Sequence, residues 1–216
     1  LNVQAHGRRE RRALSVEELR ALLMATADGP DRHNICGEDR VMLYRVAVET
    51  GLRAGELRSL TRASFDLAGD SPTVRVPAGY SNRRREDVLP LRPQTARALA
   101  SMLANKAPAA PVFAMPRREN LARMVRADLE AARAAWLAEA ASPHSRSERE
   151  KEAFLASVDA AGRVADFHSF RHTFLSLLAA GGVHPKTAQA LARHSTITRT
   201  MDRYSHKFRG EEAQRL

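Results

Sequence analysis

Phe167-His168-Ser169-Phe170-Arg171-His172-Thr173-Phe174 opens an expected helix running from Phe167 to Ala180, and its spacing sets His168 and Arg171 three residues apart on one helix face. Arginine offers a planar fork that matches phosphate oxygens, and a nearby histidine can move a proton near neutral pH. The same pair also suits a capping or packing histidine beside a surface arginine. His168 and His172 are four apart, a zinc-ligand spacing, but the glutamate of the zinc-protease helix motif is missing and no cysteine lies nearby. His172 is therefore read as a packing or structurally hydrogen-bonded residue.

Downstream, Leu191-Ala192-Arg193-His194-Ser195-Thr196-Ile197-Thr198-Arg199-Thr200-Met201-Asp202-Arg203-Tyr204-Ser205-His206 places a histidine just past one helix (Pro185 to Ala192) and a tyrosine just past a shorter one (near Ile197 to Arg203). Tyr204 lies in a polar, basic stretch where burial is less expected than for a typical tyrosine. Tyr44 fits a helix core and Tyr80 the rim of a basic turn. Upstream, Glu49-Thr50-Gly51-Leu52-Arg53-Ala54-Gly55-Glu56-Leu57 holds one arginine between two glycines at a junction of helices. Glycines permit tight backbone geometry, and a helix N-terminus can bind an anion. An ordinary helical corner with a surface arginine has the same pattern.

Around these segments the chain reads as mainly α with a small antiparallel sheet of three strands. Ser15-Val16-Glu17-Glu18 has the form of a capping box, and the helix it starts runs to about Ala27. A largely buried helix covers Glu38 to Thr50, with Gly51 suited to a left-handed stop. A short helix follows at Ala54 to Ser59. The period then changes. Ser64 to Leu67, Thr73 to Val76 and Asp87 to Leu91 are short, partly alternating strands, and the turn before the last carries Arg83, Arg84 and Arg85. Helices are expected again over Pro93 to Ala104, Arg118 to Glu139 and Ser147 to Ala160. Residues 1–13, with Arg8, Arg9, Arg11 and Arg12, read as an arm or the end of a linker. Residues 14–208 read as one domain and 209–216 as a polar tail.

Composition limits the partners. The 216 residues carry a net charge of +10 and include one cysteine, and the isoelectric point is about 10.8. Such a charge favours a polyanion, nucleic acid first and an anionic membrane second. Arginine outnumbers lysine among the basic residues, which also fits a GC-rich genome. Cys36 can form no intramolecular disulfide and is expected to be a buried structural thiol. No apolar run approaches the ~20 residues of a membrane span. The chain starts at Leu1 with no apolar leader, as expected for a fragment of a longer protein in the cytoplasm.

Together the three segments, in this order, resemble the tyrosine recombinase (phage integrase) family over about Arg12 to Lys207. The resemblance rests on a Thr-Gly-Leu-Arg-x-x-Glu-Leu box at Arg53, a His-x-x-Arg-His box at His168, Arg171 and His172, a Gly-His-like pair at His194, and a tyrosine about ten residues later at Tyr204. It implies the integrase catalytic-domain fold and a site-specific enzyme that breaks and rejoins double-stranded DNA through a 3′-phosphotyrosine, with no cofactor, ATP or metal. Arg53 and Arg171 would clamp the non-bridging oxygens. His168 would accept a proton or orient the tyrosine, His194 would hydrogen-bond the phosphate, and Tyr204 would attack. Glu56 would brace the Arg53 loop. The resemblance further implies an upstream core-binding domain that this chain lacks, a tetramer acting on two sites, and a bacterial, phage or mobile-element origin with action at the nucleoid.

One element departs from the family pattern. The hairpin position that usually holds a lysine is Asn82, and an amide is no general acid. Arg83, Arg84 and Arg85 beside it are expected to contact DNA. The rival readings are a type IB topoisomerase with the same chemistry, a DNA-binding relative of weakened activity, and a basic helical domain that binds RNA or protein.

Overall fold

In the computed structural model, residues 10–81, 84–194 and 196 are described. The chain begins with α1 (Val16–Ala27), α2 (Gly37–Thr50) and α3 (Ala54–Arg58). A three-stranded antiparallel sheet follows, in the order β1 (Phe65–Asp66), β2 (Thr73–Val76), β3 (Asp87–Pro90). The remaining helices are α4 (Pro93–Leu103), α5 (Arg118–Ala138), α6 (Pro143–Lys151), α7 (Ser169–Ala180) and α8 (Pro185–Ala192). The expected class, mainly helical with a small inserted sheet, is the one observed.

Local chemistry accounts for most boundaries. Ser15 Oγ accepts from the Glu18 amide at 3.1 Å and the Glu18 carboxylate accepts from the Ser15 amide at 2.9 Å, so the expected capping box starts α1. Gly51 ends α2 with φ 61°, a left-handed stop that costs glycine nothing. In the sheet, Val74 pairs with Leu89. Both face the core at 0% and 5% exposure, while Arg75 and Val88 face out, as a period of two requires.

The core lies where α1 packs on α2 and α5, and α2 on α7. Leu22, Leu43, Val46, Leu57, Leu129 and Phe170 are among its fully buried members. One acidic residue organises its polar centre. Asp128 on α5 accepts from Arg40 Nε at 3.0 Å, Arg32 Nε at 2.7 Å and Tyr44 Oη at 2.7 Å. Tyr44 therefore sits in the helix core as expected. Its phenol pKa is raised well above normal by burial and then by the Asp128 charge.

Two expectations are corrected. The helix expected at Ser147 to Ala160 is instead α6, Pro143–Lys151, followed by irregular chain. Ser142 caps the helix early and Pro143 occupies its first turn. Arg133 then caps the other end by donating to the Glu150 and Glu152 carbonyls at 3.0 and 2.9 Å. Beyond that point Phe154 packs on Trp136, and Leu155 turns into the core with φ 59°, its amide donating to Glu18 Oε1 at 2.7 Å. Cys36, expected to be buried, is exposed. It occupies the N-cap of α2, and the neighbouring Ile35 takes the buried place at 3% exposure.

Candidate functional site

The turn between α2 and α3 is built tightly enough to fix Arg53. A Cβ on Gly51 would overlap the ring of Phe174 on α7, so glycine lets the turn lie directly on that helix. Thr50 Oγ donates to the Val46 carbonyl at 2.6 Å and accepts from the Leu52 amide at 3.3 Å. Arg53 is the N-cap of α3. Its amide donates to Glu56 Oε2 at 2.7 Å and its Nη1 to Glu56 Oε1 at 3.2 Å. The side chain retains 27% exposure. Glu56 thus occupies the bracing position expected of it.

Arg171 approaches from α7. It is 4% exposed and donates through Nη1 to the Gly51 carbonyl and through Nη2 to the Ala192 carbonyl. The guanidinium thereby joins the Arg53 turn to the end of α8. Burial, and then the positive charges of Arg53 and Arg193, lower its pKa to about 9. His168 sits at the N-cap of α7, its amide donating to Asp166 Oδ1 at 2.8 Å. The residue is exposed, yet loss of hydration against the protein and the charges of Arg11, Arg171 and Arg53 lower its pKa to about 4. At neutral pH the imidazole is uncharged. His172 Nδ1 lies 3.0 Å from the Arg11 carbonyl, the structural bond expected of it.

These groups meet. A cleft of about 360 Å³ is lined by Arg11, Arg53, Arg118, Asp166, His168 and Arg171, with Leu52 and Phe167 among its apolar contacts. Four arginines around one opening against a single carboxylate make a site for an anion with several oxygens. Another groove, of about 720 Å³, has mostly apolar walls from Leu19 and Leu23 of α1 and Phe174, Leu177 and Leu178 of α7, and offers no such cluster. Among the described residues no group of acidic, histidine and cysteine side chains could hold a metal ion.

The other candidates are placed less completely. His194 is 8% exposed, just past the α8 cap, and exchanges backbone and side-chain bonds with Gln189. It is not among the described residues lining the cleft, although the Ala192 carbonyl held by Arg171 is two residues before it. Arg84 and Arg85 are exposed on the β2–β3 turn, and Arg85 Nε lies 3.5 Å from Asp87. Tyr204, Asn82 and Arg83 lie outside the described residues, as do the short helix expected near residues 197–203, most of the N-terminal arm and the C-terminal tail.

Three cleft or near-cleft residues escaped the sequence reading. Arg11 falls in the stretch read as an arm, but Glu10 to Arg12 are stitched to Val164, and Arg11 pairs with Asp166 at 2.9 Å. Arg118 reads as an ordinary first-turn residue of α5. Arg193 stands inside the quoted C-terminal segment, where a basic residue at a helix end passes as a dipole partner. In the structure it is buried and donates to Glu56 at 2.8 Å.

A sequence model of the phage integrase family matches residues 12–211. No curated protein sequence matches the chain. Among solved structures, the XerH site-specific recombinase bound to palindromic difH substrate in a post-cleavage complex superposes with TM-score 0.66 at 17% identity, over 99% of this chain and 55% of that one. XerA recombinase gives 0.63 at 18% identity, over 95% and 66%. The catalytic domain of bacteriophage HP1 integrase gives 0.57 at 19%, over 91% and 88%. At these identities the likeness is one of fold, and the chain spans about half the length of the XerH recombinase.

Proposed function

Because the chain belongs to the phage integrase family, we propose that it is the catalytic domain of a site-specific DNA recombinase that cleaves and rejoins strands through a covalent 3′-phosphotyrosine. The observation that carries this reading is the meeting of Arg53, His168 and Arg171 in one cationic cleft, although 118 positions separate the first from the last. A phosphodiester resists attack because its oxygens repel a nucleophile, so an enzyme must neutralise the charge that grows at phosphorus and align the attacking group.

In this reading Arg53 and Arg171 hold the two non-bridging oxygens. Arg171 is held at two carbonyls and so meets the phosphate already oriented. His168, neutral at pH 7, accepts the phenolic proton or orients the tyrosine. His194 hydrogen-bonds the phosphate from the end of α8. Tyr204 Oη attacks phosphorus; the bond to the 5′ oxygen breaks, and that oxygen leaves as a 5′-hydroxyl after taking a proton. The phosphotyrosine conserves the bond energy, so the reverse attack by a 5′-hydroxyl reseals a strand without ATP. Arg83, Arg84 and Arg85 bind DNA, and the affinity of the chain for a duplex falls steeply with salt. The domain spans residues 14–208, with Glu10 to Arg12 docked onto it. In the full-length protein an upstream core-binding domain completes the grip, and four protomers act on two sites.

Asn82 favours a second reading, a relative whose cleavage is slow because the usual lysine is missing. One experiment tests both: incubate the protein with a duplex nicked beside a cognate site, then locate attached DNA by mass spectrometry. DNA on Tyr204 supports the recombinase. An adduct that forms faster with Asn82→Lys than with this chain supports the weakened relative, and no adduct with either supports a DNA-binding protein without activity. Relaxation of an arbitrary supercoiled plasmid would instead point to topoisomerase-like action.

A further inference from the structure

Arg193 is costly where it stands. It caps α8 in the left-handed region, with φ 55° and ψ 40°, a conformation that side chains other than glycine and asparagine adopt reluctantly. It is 4% exposed, and its Nε and Nη1 are buried with no hydrogen-bond partner among the described residues. Backbone strain and desolvation both count against stability at this position.

Among the described residues its shortest ion pair is with Glu56, at 2.8 Å from Nη2 to Oε2. Glu56 is itself 3% exposed and pairs with Arg53 Nη1 at 3.2 Å. The other face of the Arg193 guanidinium lies 3.8 Å from Asp87 Oδ2. Asp87 accepts from Ser81 Oγ at 2.8 Å and lies 3.5 Å from Arg85, so its charge is already shared across the β2–β3 turn.

We propose that Arg193 is a positioning residue for the cleft, acting as the counter-ion of Glu56 and so leaving the charge of Arg53 available to a phosphate. Glu56 holds the Arg53 amide and guanidinium through its two side-chain oxygens, but a carboxylate that close cancels much of the field Arg53 can present to a substrate. A second cation on the same carboxylate, at Oε2, removes the conflict. With it, the cluster of Arg53, Arg171, Arg193 and Glu56 carries two net positive charges; without it, one. The charges of Arg53 and Arg193 lower the Arg171 pKa and that of Glu56 raises it, in keeping with the contacts that link these groups. The inference rests on the reading of the cleft as a phosphate site.

The test compares the wild type with Arg193→Gly and Arg193→Asn, both of which tolerate the left-handed backbone, with Arg193→Lys, and with Arg193→Gly combined with Glu56→Gln. Inorganic phosphate is titrated against the NMR signals of the arginine side chains, and adduct formation on a nicked duplex is timed. The glycine and asparagine variants should remain folded, bind phosphate about tenfold more weakly and form adduct about 10- to 100-fold more slowly. Arg193→Lys should recover most of both. So should the double variant, because removing the carboxylate's charge removes the need for its counter-ion. A folded glycine or asparagine variant that binds phosphate like the wild type overturns the inference, as does a double variant as weak as the single one. A wild type that binds phosphate but forms no adduct sinks the recombinase reading and leaves this inference standing. Equal adduct rates in wild type and Arg193→Gly do the reverse.

Discussion

The guanidinium of Arg171 donates to the carbonyl of Gly51, 120 residues earlier in the chain, and with its other arm to the carbonyl of Ala192. One side chain thus closes the Arg53 turn onto the end of α8. Lysine has a single point of charge and cannot span both carbonyls. Arg171→Lys should therefore lose about 1–3 kcal/mol of stability for the carbonyl left unbonded, and cleavage of a nicked duplex should slow by about 10²–10³-fold. Urea unfolding and single-turnover cleavage measure the two effects. A Lys variant as stable and as fast as the wild type would show that the two bonds do not matter.

Gly51→Ala should destabilise for two separate reasons. The position has φ 61°, and the added methyl would overlap the ring of Phe174. Left-handed backbone costs an L-residue about 1–2 kcal/mol, and overpacking adds about 1–3 kcal/mol. The urea midpoint should fall accordingly. A second change, Phe174→Leu, should return only the overpacking part.

His168 should titrate near pH 4 in the empty protein, below its ordinary 6.5. Between those values the unfolded chain binds a proton that the folded one refuses. Stability contributed by the neutral ring is therefore complete above about pH 6.5 and lost as pH falls toward 4. Phosphate in the cleft would offset the charges of Arg11, Arg171 and Arg53, so it should raise the His168 value. Proton NMR of the imidazole with and without phosphate measures this; an unmoved titration would place the anion elsewhere.

Asp128→Ala should be among the most damaging core substitutions. It leaves Arg40, which is 0% exposed, without its carboxylate and also unties Arg32 and Tyr44. Breaking a buried pair from one side costs about 3–5 kcal/mol. Denaturant unfolding should show it. Replacing Asp128 and Arg40 together with apolar residues of similar volume should cost less than the single change.

What could be read from the sequence was what short-range chemistry decides. Ser15 and Glu18 cap α1 within one turn, Gly51 stops α2 through its own backbone, and alternation assigns Val74 and Leu89 to the buried face of the sheet. The boxes around Arg53 and Arg171 were also legible, because each carries its pattern within a few residues. What failed depended on distant partners. Leu155 leaves a helical pattern because its amide finds Glu18, 137 residues away. Arg12 looks like part of a solvated run until Glu18 pairs with it at 2.8 Å. Cys36 and Ile35 compete for one buried place, and nothing local decides between them. Arg193 gains its interest only when folding brings Glu56 beside it.

The cleft draws its cations from four well-separated stretches of chain, at Arg11, Arg53, Arg118 and Arg171. Like charges gathered this way push against one another, so the vacant protein holds a repulsion that the extended chain does not. Any polyanion that settles there relieves it and, by mass action, tightens the whole fold. Heat resistance that climbs with added DNA would be the outward sign, and an excess of salt would blunt it.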